Sequence, residues 1–375
     1  MIEKKRMVAM DIFAQNDRIS NMELWTLMFV YMMGSLLTLP IGYAAGHDSW
    51  ISAIIGTIAA LGINWIYVLL CHKYPRKSLV EIAQILLGPW IGKMVGILYT
   101  WYSFYLGAYT LLNFTDITGA VLLPRTPTVI VGITMIILVT WTASKGIEVI
   151  SRCALILFLF VVISTVLGSI LLVPDMEPKN ILPVLESGWN PILKGAGQIA
   201  TIPLGETIVF GMLIPYVNQM AFVKKTVITV IGVTGLLLLL TFFVNIFVLG
   251  EIASKQLFPS YTSVMYIAVG DFFERIEPLV FTVWIFNGFT KLTICLLVSA
   301  LALSQTIGSR DYRFYLIPLG LLLLELSLIL HPNQLDLIAY IKDIWPLFSL
   351  PFLIFVPLIL LIISFLKRKT LKSQN

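Results

Sequence analysis

Ten stretches of roughly 20 residues, each apolar along nearly its whole length, constrain this chain more than any other feature. They are Leu24–Tyr43, Trp50–Leu70, Met94–Asn113, Thr128–Ser144, Cys153–Val173, Gly195–Gln219, Thr226–Gly250, Pro278–Thr306, Phe314–Leu330 and Ile344–Leu366. Seven of the ten contain no Asp, Glu, Lys or Arg. Backbone in a bilayer core must satisfy its own hydrogen bonds, and a helix of this length does so within one segment. The runs are solidly apolar rather than alternating, which excludes a membrane β-barrel. Charged residues make up only 12% of the chain, about half the ~25% of a soluble domain. The expected fold class is an all-α integral membrane protein of about ten transmembrane helices, forming a single domain over residues 1–375.

The basic residues give the topology. Eighteen Lys and Arg fall on the two tails and the loops of one side, six on the other, and Lys291 lies within a span. By the positive-inside rule both termini are cytoplasmic. The same rule accounts for the net charge of +5 without a nucleic-acid partner. Residues 1–22 and 367–375 are then cytoplasmic tails, and Met1–Ser20 lacks the features of a cleaved signal peptide. The long external loops are 174–194, with four prolines, and 251–277, whose mixture of aromatic and charged residues suggests an interfacial helix. Cys71, Cys153 and Cys295 have no paired spacing and are read as small packing residues, so neither a metal nor another cofactor is expected.

Two runs carry interruptions at matching positions. The first holds Gly34, Ser35, Thr38 and Pro40; the sixth holds Pro203, Gly205, Glu206 and Thr207, then Gly211 and Pro215. Proline removes a backbone donor, and glycine tolerates unwinding. Unwound backbone at membrane depth survives only where it is buried or lines a wet cavity. Ten spans with breaks in the first and sixth suggest two five-helix inverted repeats around a midplane site for a small molecule. That site is expected around Gly34–Thr38 and Leu204–Thr207.

Glu206, Lys291 and Glu325 are the ionisable residues well inside the runs, each costing about 2.5–3.5 kcal/mol to insert. Asn287 and Lys291 are four apart and share one helix face, which should point inward beside Thr290. The spacing allows a Glu206–Lys291 pair, as well as a proton-coupling role for either residue. Glu325 reads as a peripheral residue with a structural hydrogen bond. Trp101, Tyr102, Tyr105 and Tyr109 form a helical stripe that either packs or lines a pocket. No phosphate loop, nucleophile elbow or zinc-protease motif occurs, so nothing points to an enzyme.

Several of these segments, taken in order, resemble the spore germination permeases, the B-subunits of GerA-type nutrient germinant receptors in the amino acid–polyamine–organocation superfamily. They are Gly34–Pro40 with Asp48–Ile51, Leu87–Gly92, Arg125–Pro127, Ile181–Gly188, Phe273–Glu277 and Val283–Ile285. The resemblance implies a leucine-transporter-like fold with broken helices 1 and 6. It implies a germinant sensor in the inner membrane of the spore, working with A-type and C-type receptor subunits. Carried over by position, its ligand pocket falls on Gly34, Ser35, Leu36, Ala108, Gly205, Glu206, Asn287, Thr290 and Lys291. The bulky Lys291 departs from a pocket for a small amino acid and could tune ligand choice or fill an ion-like position.

Three functions compete. A receptor subunit would bind a germinant, an amino acid in the first instance, and pass a conformational change to its partners. An amino-acid permease would use the same pocket in proton-coupled alternating access. A membrane scaffold or conduit for partner subunits would retain only a vestigial pocket.

Overall fold

A computed structural model describes residues 18–186, 188–265, 277–331 and 333–372. Every apolar run is occupied by a helix or by a broken pair of helical segments. The main helices are α1 (Asn21–Leu36), α2 (Ser49–Lys73), α3 (Leu79–Ile117), α4 (Thr128–Ser144) and α5 (Ile147–Leu171). They continue with α6 (Trp189–Thr201), α7 (Val223–Leu249), the short α8 (Pro259–Val264), α9 (Glu277–Ile307) and α10 (Arg313–Ile329). The last are α11 (Gln334–Asp343), α12 (Trp345–Leu350) and α13 (Val356–Lys372). Among the described residues, six helical stretches are long and apolar enough to cross a membrane unaided. The first and sixth runs do not qualify because their helices stop midway.

Local sequence sets the helix ends. Ser20 caps α1: its hydroxyl accepts from the Glu23 N–H at 3.1 Å, while the Glu23 carboxylate accepts from the Ser20 N–H at 2.6 Å. Ser78 and Glu81 repeat this box at the start of α3. Gly88, at φ +83°, and Pro89 then kink α3 after its first turns. The Leu86 carbonyl near the bend accepts from the Lys367 ammonium at 2.8 Å.

The core is built around α9. Of its most apolar 18-residue window, 83% is buried, against 17% for α5 on the periphery. Helix α9 packs on α1, α3, α4, α5 and α10, and α1 packs on α5 and α7. A helix enclosed on so many sides has few faces open to lipid, which is why Asn287, Thr290 and Lys291 are all buried on it.

Three expectations need correction. Helix α1 stays helical through Leu36, so the interruption expected over Gly34–Pro40 begins only after Leu36. Glu325 is exposed on α10 and makes no side-chain hydrogen bond among the described residues, because its helix turns it outward. Cys153 is also exposed, whereas Cys71 and Cys295 are packed. In the 251–277 loop the described part forms a 3-10 turn at Gly250–Lys255 and the six-residue α8; residues 266–276, with Asp271, Phe272, Phe273, Glu274 and Arg275, lie outside the described residues.

Candidate functional site

The two interruptions meet at the centre of the bundle. The α1 helix ends at Leu36, and just beyond it the Thr38 hydroxyl donates to the Gly34 carbonyl at 2.7 Å. Gly42, at φ +85°, begins the next turn and donates its N–H to Gln198 Oε1 at 3.1 Å. In the sixth run α6 ends at Thr201, and a 3-10 segment resumes at Glu206–Met212. Asn64 of α2 satisfies the gap between them. Its amide donates to the Leu204 carbonyl at 3.0 Å, and its oxygen accepts from the Thr207 hydroxyl. Freed backbone is thus held by side chains rather than left bare, as burial requires.

Across these breaks lies a buried ion pair. Lys291 Nζ stands 2.5 Å from Glu206 Oε2, and both side chains are 2% exposed. The same ammonium donates to the Ser35 hydroxyl and sits 5.2 Å from the centroid of the Tyr31 ring. Glu206 begins the 3-10 segment, Ser35 lies one residue before the end of α1, and Lys291 projects from α9. The pair therefore ties both broken spans to the central helix. Two charges this deep are tolerable only with their remaining hydrogen-bond capacity partly met, which Ser35 and the ring supply on the lysine side. Gly34 permits the approach: a Cβ there would stand 3.1 Å from the Asn287 carbonyl oxygen and 3.2 Å from Lys291 Cβ.

A cavity of about 30 Å³ adjoins the pair, lined by Gly34, Ser35, Tyr109, Glu206, Lys291 and Trp345 among others. At ~15 Å³ per water it has space for about two water molecules, not for an amino acid. It is covered on both sides. Away from the termini, Gln334 of α11 donates to Asn113 Oδ1 at 3.0 Å, and Asn113 donates to Thr38 Oγ1 at 3.1 Å. Tyr109 OH lies 2.8 Å from His331 Nε2, and Tyr105 donates to Tyr340 at 3.3 Å. On the terminal side Ile19 pairs with Val217: Ile19 N–H donates to the Tyr216 carbonyl at 3.0 Å, and Asn218 N–H donates to the Ile19 carbonyl at 2.9 Å.

The expected site residues divide by this geometry. Gly34, Ser35, Glu206 and Lys291 come together at the cavity. Gly205 immediately precedes Glu206, and a Cβ there would stand 2.5 Å from the Ala200 carbonyl oxygen and 2.9 Å from Leu353 Cδ1. Asn287 is fully buried one turn from Lys291, and neither amide atom has a partner among the described residues. Leu36, Ala108 and Thr290 are buried but do not line the cavity, and the Thr290 hydroxyl is spent on the Phe286 carbonyl at 2.9 Å. Sequence reasoning missed Asn64, Asn113, Gln198 and Tyr31. The first three were visible as carboxamides within or at the ends of apolar runs, a signal the charged residues overshadowed.

The family model described as Spore germination protein (Spore_permease) matches residues 18–335. The chain belongs to this spore germination family. Spore germination protein KB of Bacillus subtilis (strain 168) is 28% identical over 360 residues, covering 95% of this chain and 96% of that protein. Spore germination protein YndE of the same strain is 24% identical over 303 residues, covering 78% and 82%. Among solved structures, MhsT in complex with L-phenylalanine superposes with a TM-score of 0.62 at 14% identity, covering 94% of this chain and 99% of that one. A Na⁺-coupled sialic acid symporter in a substrate-bound outward-open state superposes with a TM-score of 0.64 at 12% identity, covering 92% and 79%. This family member therefore has a leucine-transporter-like fold in a multi-pass membrane protein. Its breaks in spans one and six are those of the two-repeat architecture.

Proposed function

We propose that this chain is the membrane receptor subunit of a nutrient germinant receptor, acting in the spore inner membrane with both termini cytoplasmic and A-type and C-type subunits as partners. It binds a small zwitterionic germinant, an amino acid, where the broken spans meet. The observation that carries this reading is the Lys291–Glu206 pair between the two breaks. A zwitterion can exchange with such a pair: its carboxylate takes the place of Glu206 at Lys291, and its ammonium takes the place of Lys291 at Glu206. Net charge at the site is unchanged, so the low-dielectric centre acquires no uncompensated ion. The unpartnered Asn287 amide offers a further donor and acceptor once the pair separates. Because the cavity is too small for an amino acid, binding requires the cover formed by Gln334 and His331 to move. That movement is the change the partner subunits would read.

The test is germination of spores carrying Ser35→Ala or Glu206→Gln, challenged with a panel of amino acids and nucleosides while receptor subunit levels are followed by immunoblot. Loss of one amino-acid response, with subunit levels and other responses intact, supports the assignment. A normal response by both variants would refute it.

Closure at both ends also favours a second reading, a permease working by alternating access, since the Ile19–Val217 and Gln334–Asn113 contacts stand where two gates would stand. Uptake of labelled amino acid by proteoliposomes of the isolated chain distinguishes it: flux supports the permease, and binding without flux supports the receptor.

A further inference from the structure

A second cavity, of about 570 Å³, opens at the end of the bundle where α1 begins and α13 ends. It lies between the last turn of α2, the first turn of α7 and the end of α13, and is lined by His72, Lys73, Tyr74, Lys224, Ser364 and Lys367, over a floor that includes Leu69 and Leu361. Three lysines therefore converge on one space, and no carboxylate among the described residues lines it.

The lysines are placed rather than scattered. Lys73 Nζ donates to the Ser364 carbonyl at 2.6 Å and lies 4.2 Å from the centroid of the Phe365 ring. Lys367 is held by the Leu86 carbonyl at the α3 bend. Lys224 sits 5.9 Å from the centroid of the Trp65 ring. Ser364 Oγ is buried without a hydrogen-bond partner among the described residues. The flanks are apolar and outward-facing: Trp65, Ile362 and Phe365 are all exposed on the bundle side. A cationic space with a free hydroxyl, bordered by aromatic rings and lipid-facing aliphatic surface, matches a group that is anionic at its head and apolar behind it.

We propose that this cavity binds the phosphodiester headgroup of an anionic glycerophospholipid. The lysine ammoniums and the Ser364 hydroxyl meet the phosphate oxygens, and the acyl chains lie against the exposed faces of α2 and α13. A free phosphate ion would use the same cationic groups but none of the apolar flank. The site is separate from the midplane pair and does not depend on what binds there.

The test uses the purified full chain in neutral detergent. Thermal unfolding and native mass spectrometry are followed with phosphatidylglycerol, phosphatidylcholine of the same acyl chains, or inorganic phosphate. Phosphatidylglycerol is expected to bind and raise the unfolding temperature, and the other two are not. Lys224→Gln is expected to weaken binding about fivefold and Lys224→Gln with Lys367→Gln about thirtyfold, the rough weight of one and two lysines near an anionic headgroup. Lys224→Arg should retain it. Lys145→Gln, on the same face but outside the cavity, should leave it unchanged and controls for general charge attraction. Equal stabilisation by phosphatidylcholine, full stabilisation by inorganic phosphate alone, or an equal loss in Lys145→Gln would each overturn the assignment.

Discussion

Lys291 and Glu206 are 85 positions apart in the chain and 2.5 Å apart in space, and each belongs to an element that the membrane would otherwise forbid a charge. Removing one partner strands the other. Glu206→Gln or Lys291→Met alone should cost about 3–5 kcal/mol, whereas the double variant should recover most of that loss, because no uncompensated charge remains. Denaturant unfolding of the purified variants in detergent measures the cycle. Equal damage in the singles and the double would mean that the pair contributes nothing as a pair.

Asn64 holds the break of the sixth span open by bonding both Leu204 and Thr207. Asn64→Ala should leave a buried carbonyl unsatisfied and destabilise the protein by about 1–3 kcal/mol. Asn64→Asp should do worse, since it also buries a carboxylate without a cation beside it. The same unfolding measurement serves, and an Asn64→Ala variant as stable as the parent would show that water replaces the amide.

Asn287 presents the opposite balance. Its amide is fully buried and unpartnered among the described residues, so Asn287→Leu should be neutral or stabilising while lowering the amino-acid response. Stability and germination moving in opposite directions would mark a residue kept for ligand rather than for packing. A fall in both would assign it to the fold.

The cover is the movable part. With Cys71, Cys153 and Cys295 replaced by Ala, a cysteine introduced at Thr110 should react slowly with a membrane-impermeant maleimide. Gln334→Ala should speed that reaction several-fold by releasing Asn113. Unchanged labelling would place the gate elsewhere than α11.

Much of this was legible in the chain itself. The ten runs, the breaks in the first and sixth, and the inward face of Asn287 and Lys291 follow from apolar length, Gly and Pro placement, and helical periodicity. The position of the first break did not follow. Gly34 and Pro40 bracket five residues, and only the backbone bond from Leu37 N–H to the Met33 carbonyl, at 3.3 Å, shows that helix persists to Leu36. Periodicity also could not reveal Asn64 or Gln198, because each bonds a carbonyl or amide from a distant run whose register is set by packing. Ala108 and Thr290 fell on the expected helices but not at the cavity, since positional carry-over does not fix helix rotation.

The most direct measurement is calorimetric titration of the purified protein with a matched set of ligands: an amino acid that germinates the spores, its decarboxylated amine and its deaminated acid. If the germinant exchanges with the Lys291–Glu206 pair, the zwitterion binds, neither half-ligand does, and Lys291→Met with Glu206→Gln abolishes binding while the protein stays folded. Binding of the zwitterion to that double variant with parental affinity would contradict the claim.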